Sequence, residues 1–222
     1  MKKFLLIILI LILIPIGILV YLGFVPGLSP LITKPIDLGI KADPSLVTAF
    51  ETKYAVPAGV STAKLDVSLS STEITSVFAV WQQRDKLFPL RDVQIRFNPD
   101  GTGEASGYLK LGSAVALAKN LGYTDADINK GKEYIQYISG DLPFYVKGTG
   151  GMLNNQLTIN PSTFRLGNVT VPSSITTPAT RVVGDMITRR LKQIGGANIE
   201  EASFKTGVLK LKGTVPSTIK YD

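Results

Sequence analysis

Asp92-Val93-Gln94-Ile95-Arg96-Phe97-Asn98-Pro99-Asp100-Gly101 is the stretch on which the fold turns. Val93, Ile95 and Phe97 alternate with Asp92, Gln94 and Arg96, which is the period of two that marks a half-buried strand. Asn98-Pro99-Asp100-Gly101 then reverses the chain, because proline presets a turn dihedral and glycine accepts a positive φ. The returning segment sets Ala105, Gly107, Leu109 and Leu111 against Glu104, Ser106, Tyr108 and Lys110. Small residues so lie opposite large ones on one face, an arrangement that invites curvature or close packing.

Upstream, Leu65, Val67 and Leu69 alternate with Lys64, Asp66 and Ser68 as a second strand. Ser70 and Glu73 have the spacing of a capping box, and Ile74, Val77, Phe78 and Trp81 follow as a narrow helical stripe. Asp43-Pro44 has the form of an N-cap with proline in the first turn, opening a short helix whose apolar residues are Leu46, Val47, Phe50 and Tyr54. Downstream, residues 111–139 are helical by pattern in two pieces, one ended by Gly122 and one begun by Thr124 and Asp127 that carries Ile128, Ile135 and Ile138. Strand patterns resume at Leu142, Phe144 and Val146, turn near residues 148–151 and again at Asn154-Asn155, and continue through Leu157, Ile159, Phe164 and Leu166. A long helix starts at Thr176 or Thr177 with Pro178 just inside and ends at Gly195-Gly196. Ala202, Phe204, Leu209 and Leu211 close the chain as a hairpin around Thr206-Gly207.

The amino terminus has a different character. Residues 4–22 contain no charged side chain, and a run of about 20 apolar residues is long enough to cross a hydrocarbon core of about 30 Å. Lys2 and Lys3 precede it, so the positive-inside bias places the amino end in the cytoplasm and the remainder outside the cell membrane. The organisation expected is a cytoplasmic end at 1–3, a single-pass transmembrane anchor at 4–25, a spacer at 26–42 and one extracytoplasmic domain at 43–222. The rival reading, a cleaved signal peptide, calls for a shorter apolar region and a small-x-small site, of which Val25-Pro26-Gly27 is a poor example. The fold class expected is α+β, an N-terminal transmembrane helix plus a curved antiparallel sheet packed on long amphipathic helices.

The order of these features resembles bacterial envelope proteins of the YpmS and LmeA-like phospholipid-binding type. Four cues carry it: the apolar anchor, then Pro35-Ile36-Asp37-Leu38-Gly39 ahead of a short helix, then Leu69-Ser70-Ser71-Thr72-Glu73-Ile74, then the strand of residues 92–97 with its Pro-Asp-Gly turn. The resemblance implies a tubular lipid-binding arrangement, in which an elongated curved sheet grips helices around an apolar groove that can hold acyl chains.

Composition narrows the chemistry. The 222 residues include no cysteine and no histidine, which removes thiol chemistry, the commonest general base and the commonest metal ligand. The formal net charge of +7 is not gathered into runs with interleaved aromatics, so nucleic acid is not an expected partner. Asp125 and Asp127 suggest a cation at first sight, but helix capping accounts for them and Lys130, Gly131 and Lys132 do not continue a calcium loop. Glu200 and Glu201 are adjacent in a strand and point to opposite faces, so they cannot share a site.

No catalytic residue, metal or cofactor is expected. The function expected is non-catalytic binding of a phospholipid, a fatty acyl chain or another amphiphile in an apolar groove. The different reading is an adaptor that binds a protein partner and has no internal ligand. Candidate groove residues are Ile74, Phe78 and Trp81 on one helix and Val182, Val183, Met186 and Ile187 on another, with Arg189, Arg190 and Lys192 meeting a head group. The plainer reading of both stripes is helix face against sheet, and basic residues in a last turn complement the helix dipole without any ligand.

Overall fold

The computed structural model describes residues 33–133 and 141–217, together with Ile14, Pro15, Gly17, Ile18 and Tyr21. Among these residues eight strands form one antiparallel sheet: β1 (Thr62–Leu69), β2 (Leu90–Phe97), β3 (Gly103–Lys110), β4 (Asp141–Leu153), β5 (Gln156–Leu166), β6 (Val169–Thr170), β7 (Asn198–Lys205) and β8 (Val208–Pro216). The order is β1-β8-β7-β4-β3-β2, with β5 and β6 branching from β4. Among the described residues five continuous helices accompany it: α1 (Pro44–Lys53), α2 (Ser71–Arg84), α3 (Leu111–Asn120), α4 (Asp125–Glu133) and α5 (Ser173–Gln193).

The local signals act where the sequence puts them. Ser45 N–H donates to Asp43 Oδ1 at 3.0 Å to cap α1. Glu73 N–H donates to Ser70 Oγ at 3.2 Å, and Ser70 N–H returns to Glu73 Oε2 at 2.7 Å, completing the capping box of α2. Asn98 N–H reaches Thr102 O at 2.8 Å and Gly101 takes a φ of 80°, so the β2–β3 hairpin turns on the four residues expected.

One strand departs from its pattern. The turn expected at 148–151 is absent, and β4 runs straight through to Leu153. The first half of β4 pairs with β3 and its last three residues pair with β7 on the same edge, so two hairpins part from one strand. A Cβ on Gly148 would lie 2.4 Å from the Asn160 carbonyl oxygen, and one on Gly150 would lie 2.6 Å from that of Thr158. Glycine is required here for backbone approach, and a glycine cluster signals that as readily as a turn.

The core begins on β1. Leu65, Val67 and Leu69 are buried on one face, and Phe50 and Tyr54 of α1, Ile74 of α2, and Leu209, Leu211 and Val215 of β8 pack against them. Helix α2 also lies along the outer edge of β2. Phe97 N–H donates to Ser71 Oγ, and Ile95 N–H donates to Thr75 Oγ1, both at 2.9 Å. Asp92, in a left-handed conformation at a bulge, turns its N–H onto Gln82 Oε1 at 2.7 Å. The two end strands of the order therefore meet the same helix, since Ile74 of α2 packs on the face of β1 and Ser71 and Thr75 accept hydrogen bonds from β2. A sheet can meet one helix at both ends only by curling.

Two expectations are corrected. The protein is mostly a large antiparallel sheet with a few helices, rather than a sheet wrapped on long amphipathic ones. Four of the helices have 9 to 14 residues, and α5, with 21, docks on β5 through small residues while Val182 and Val183 face outward. The transmembrane anchor is corrected as well: among the described residues no helix is long and apolar enough to cross a membrane. Of residues 4–25 only Ile14, Pro15, Gly17, Ile18 and Tyr21 are described, and the rest of that span lies outside the described residues, as do Ile135 and Ile138. The single-pass placement in the cell membrane, the cytoplasmic amino end and the bilayer as an integral partner rested on that helix and are withdrawn with it. Part of the segment read as a spacer is packed on the domain, with Leu38 buried and its N–H donating to Gln94 Oε1 at 2.8 Å.

Candidate functional site

Residues opposite one another in neighbouring strands share a face, so the register sorts the β2–β5 region into rows. Ile95, Ala105, Val146 and Phe164 form one row, and Gly107, Phe144 and Leu166 form the next. On the opposite face, to either side of the first row, run Arg96, Glu104, Lys147 and Thr163, and Gln94, Ser106, Tyr145 and Arg165. The region is apolar on one side and polar on the other. The apolar side continues along the sheet through Met152 and Leu157 to Ala202 and Leu211.

The polar side is knitted together. The Glu104 carboxylate accepts from Asn98 Nδ2 at 2.9 Å and from the Tyr145 hydroxyl at 2.8 Å. Burial pushes its pKa up, and these two donors with the Lys147 and Arg96 charges outweigh that, leaving it below the ordinary glutamate value. Arg91 donates to Asp141 Oδ2 at 2.6 Å and stacks 3.9 Å from the centre of the Tyr108 ring. These contacts fix the strands to one another and leave the apolar side as the one with spare capacity.

That side is incompletely covered. Ile95, Phe97, Leu109, Phe144, Val146, Phe164, Leu166 and Phe204 are only half-buried, whereas Val93 and Leu142 are buried. A helix borders it at each margin, α2 along β2 and α5 on β5. Helix α5 comes close because Gly184 is small, for a Cβ there would be 3.1 Å from the Leu157 carbonyl oxygen, and Thr188 Oγ1 donates to Asn155 O at 3.0 Å. Asp85, just past α2, pairs with Arg190 of α5 at 3.5 Å, joining the two helices at one end.

The residues singled out from the sequence are dispersed around this surface. Ile74 belongs to the β1 core. Phe78 and Trp81 form an aromatic trio with Phe88, centroids 5.7 to 6.2 Å apart, and Trp81 is 38% exposed. The buried residues of α2 are Thr75, Ser76 and Val80 instead of the apolar stripe. Met186 and Ile187 are half-buried, while Val182 and Val183 are 50% and 44% exposed. Arg189 pairs with Asp185 at 2.9 Å, donates to Leu121 O at 3.3 Å and stacks 4.4 Å from the centre of the Tyr123 ring. The Tyr123 hydroxyl donates to the same Asp185 carboxylate, and burial with that bond lifts the tyrosine pKa to about 12. Arg189 and Arg190 thus fasten α5 to its neighbours, and Lys192 is exposed.

Sequence reasoning identified Phe144, Val146, Phe164 and Leu166 as strand residues but not as one surface. Their alternation is visible in the sequence, but the register that aligns them across two strands is not. Among the described residues no group of three or more acidic side chains could hold a metal ion. No protein-family model matches the chain, no curated protein matches it, and no solved structure matches it.

Proposed function

We propose that this protein is a non-catalytic binding protein that holds an amphiphile, a phospholipid or a fatty acid, with its acyl chain against the apolar face of β2–β5. The observation that carries this reading is the contiguous set of half-covered residues from Ile95 through Val146 to Phe164 and Leu166, bordered by α2 and α5. Binding sites for apolar ligands combine such a lining with a few polar groups at the rim. The polar groups of this region are on the other face or engaged in ion pairs, an arrangement that suits holding a chain better than reacting with it.

The test is uptake of a fluorescent fatty acid, with organic extraction of the purified protein to recover bound lipid. Val146→Asp and Phe164→Asp, each checked for retained structure by circular dichroism, should abolish uptake, and Val182→Asp on the outer side of α5 should leave it intact. No uptake by the unmodified protein, and no extractable lipid, would overturn the reading. A second reading has its own observation. Ile175, Val182 and Val183 form an exposed apolar strip on α5, of the kind an adaptor presents to a protein partner. Loss of a captured partner on Val182→Asp, with fatty-acid uptake absent throughout, would favour it.

A further inference from the structure

The two ends of the strand order are treated differently. The β2 edge has its outward N–H groups satisfied by Ser71, Thr75 and Gln82 of α2, which removes it as a template for another strand. The β1 edge has no such cover among the described residues: β1 pairs with β8 alone. Its side chains are sorted cleanly, with Leu65, Val67 and Leu69 buried and Lys64, Asp66 and Ser68 exposed. An eight-residue strand with regular alternation and an open edge is competent to accept a neighbour.

We propose that β1 pairs antiparallel with β1 of a second copy of this chain, about a two-fold axis at Leu65. The sequence at the edge is self-complementary in that register. With Leu65 opposite Leu65, each Lys64 faces the other copy's Asp66, so two cross-strand ion pairs form on the exposed face. Ala63 faces Val67 on the buried side, continuing the apolar surface of the β1 core. Within one copy Asp66 is already flanked by Lys212, 3.8 Å away across the β1–β8 pair. The dimer would extend this to Lys212, Asp66 and the second copy's Lys64, charges alternating across the seam. A shift by one residue would bring the buried leucines to the exposed face, so the register is set by pleat and charge together. A lysine on an edge strand ordinarily deters pairing, but here each such lysine meets a carboxylate.

Sedimentation velocity of the full chain over roughly a hundredfold range of concentration tests this. The unmodified protein should show a reversible monomer–dimer equilibrium. Lys64→Asp and Asp66→Lys should each weaken dimerisation by about tenfold, since each turns both ion pairs into like-charge pairs. The double variant Lys64→Asp with Asp66→Lys should restore it. So should an equimolar mixture of the two single variants, in which every 64–66 pair is again of opposite sign. A monomer at every concentration would overturn the proposal. Association indifferent to either single variant, or single variants whose mixture does not recover, would overturn it equally.

Discussion

The rings of Phe97 and Phe204 stack with centroids 5.6 Å apart and 28° between their planes, at the point where two hairpins part from β4. Gly103 lies under the stack, for a Cβ there would be 3.1 Å from the Phe204 ring. The pair joins the β2–β3 hairpin to the β7–β8 hairpin across the fork, where no backbone ladder connects them. An aromatic pair of this kind contributes about 0.5–1.5 kcal/mol beyond the area it buries. Phe97→Leu and Phe204→Leu should each destabilise the fold by about 1 kcal/mol, and the double variant by less than their sum. Chemical denaturation of the four proteins measures the coupling, and strict additivity would show that the fork is held by something else.

Thr75 is buried and its hydroxyl serves the Ile95 backbone on the edge of β2, accepting from the N–H at 2.9 Å. Thr75→Val keeps the shape and removes the acceptor, leaving the partly buried Ile95 N–H without that partner at a cost of about 1–3 kcal/mol. Thr75→Ser keeps the hydroxyl and should cost about 1 kcal/mol or less. Urea midpoints separate the two, and a valine variant as stable as wild type would mean that water replaces the hydroxyl.

That hydroxyl also marks the limit of what the sequence disclosed. The capping box of Ser70 and Glu73, the Asp43 cap and the Asn98-Pro99-Asp100-Gly101 turn are built from residues within a few positions of one another, so spacing alone identifies them. The helix they introduce has a wider packed side than its apolar stripe, with Thr75, Ser76 and Val80 buried and Ile74 against the β1 core. A helical wheel counts apolar residues and selects Ile74, Val77, Phe78 and Trp81, whereas α2 lies along a strand edge whose free N–H groups call for Ser71, Thr75 and Gln82. Arg189 shows the same division. Its partner Asp185 is one turn away and could be read from spacing, while Tyr123 and the Leu121 carbonyl arrive from another helix connection altogether. The apolar face was legible strand by strand, and became a surface only once the register was known.

Two tyrosines make the fold sensitive to alkali. Burial, reinforced by the carboxylate each hydroxyl bonds, raises Tyr123 and Tyr145 to about 12. The unfolded value is about 10, so the folded pKa is the higher one and the neutral form is favoured by folding. The stability this contributes is fully present below pH about 10 and is lost as pH rises through about 12. Tyr145→Phe and Tyr123→Phe should each flatten the decline in melting temperature across that window. Ultraviolet titration should show a late tyrosine step that diminishes in each variant, and a step unchanged in both would refute the assignment.

Glycine-to-alanine changes at two positions should move stability in opposite directions. Gly112 is in the first turn of α3 with nothing within 4 Å of where its Cβ would stand, so Gly112→Ala gains helix propensity and should stabilise by up to about 1 kcal/mol. Gly148 sits in β4 just before its edge partner changes from β3 to β7, and a methyl there would lie 2.4 Å from the Asn160 oxygen and 2.7 Å from the Pro161 Cα. Both are backbone atoms that cannot swing aside, so Gly148→Ala must push β5 away from β4, at a cost of about 1–3 kcal/mol. The same displacement would part Phe164 from Val146 on the apolar face, so fatty-acid uptake should fall in Gly148→Ala and hold in Gly112→Ala. Thermal melts and the uptake assay on both variants decide it. An uptake that follows stability nowhere near β4 would mean that the ligand is held elsewhere on the molecule.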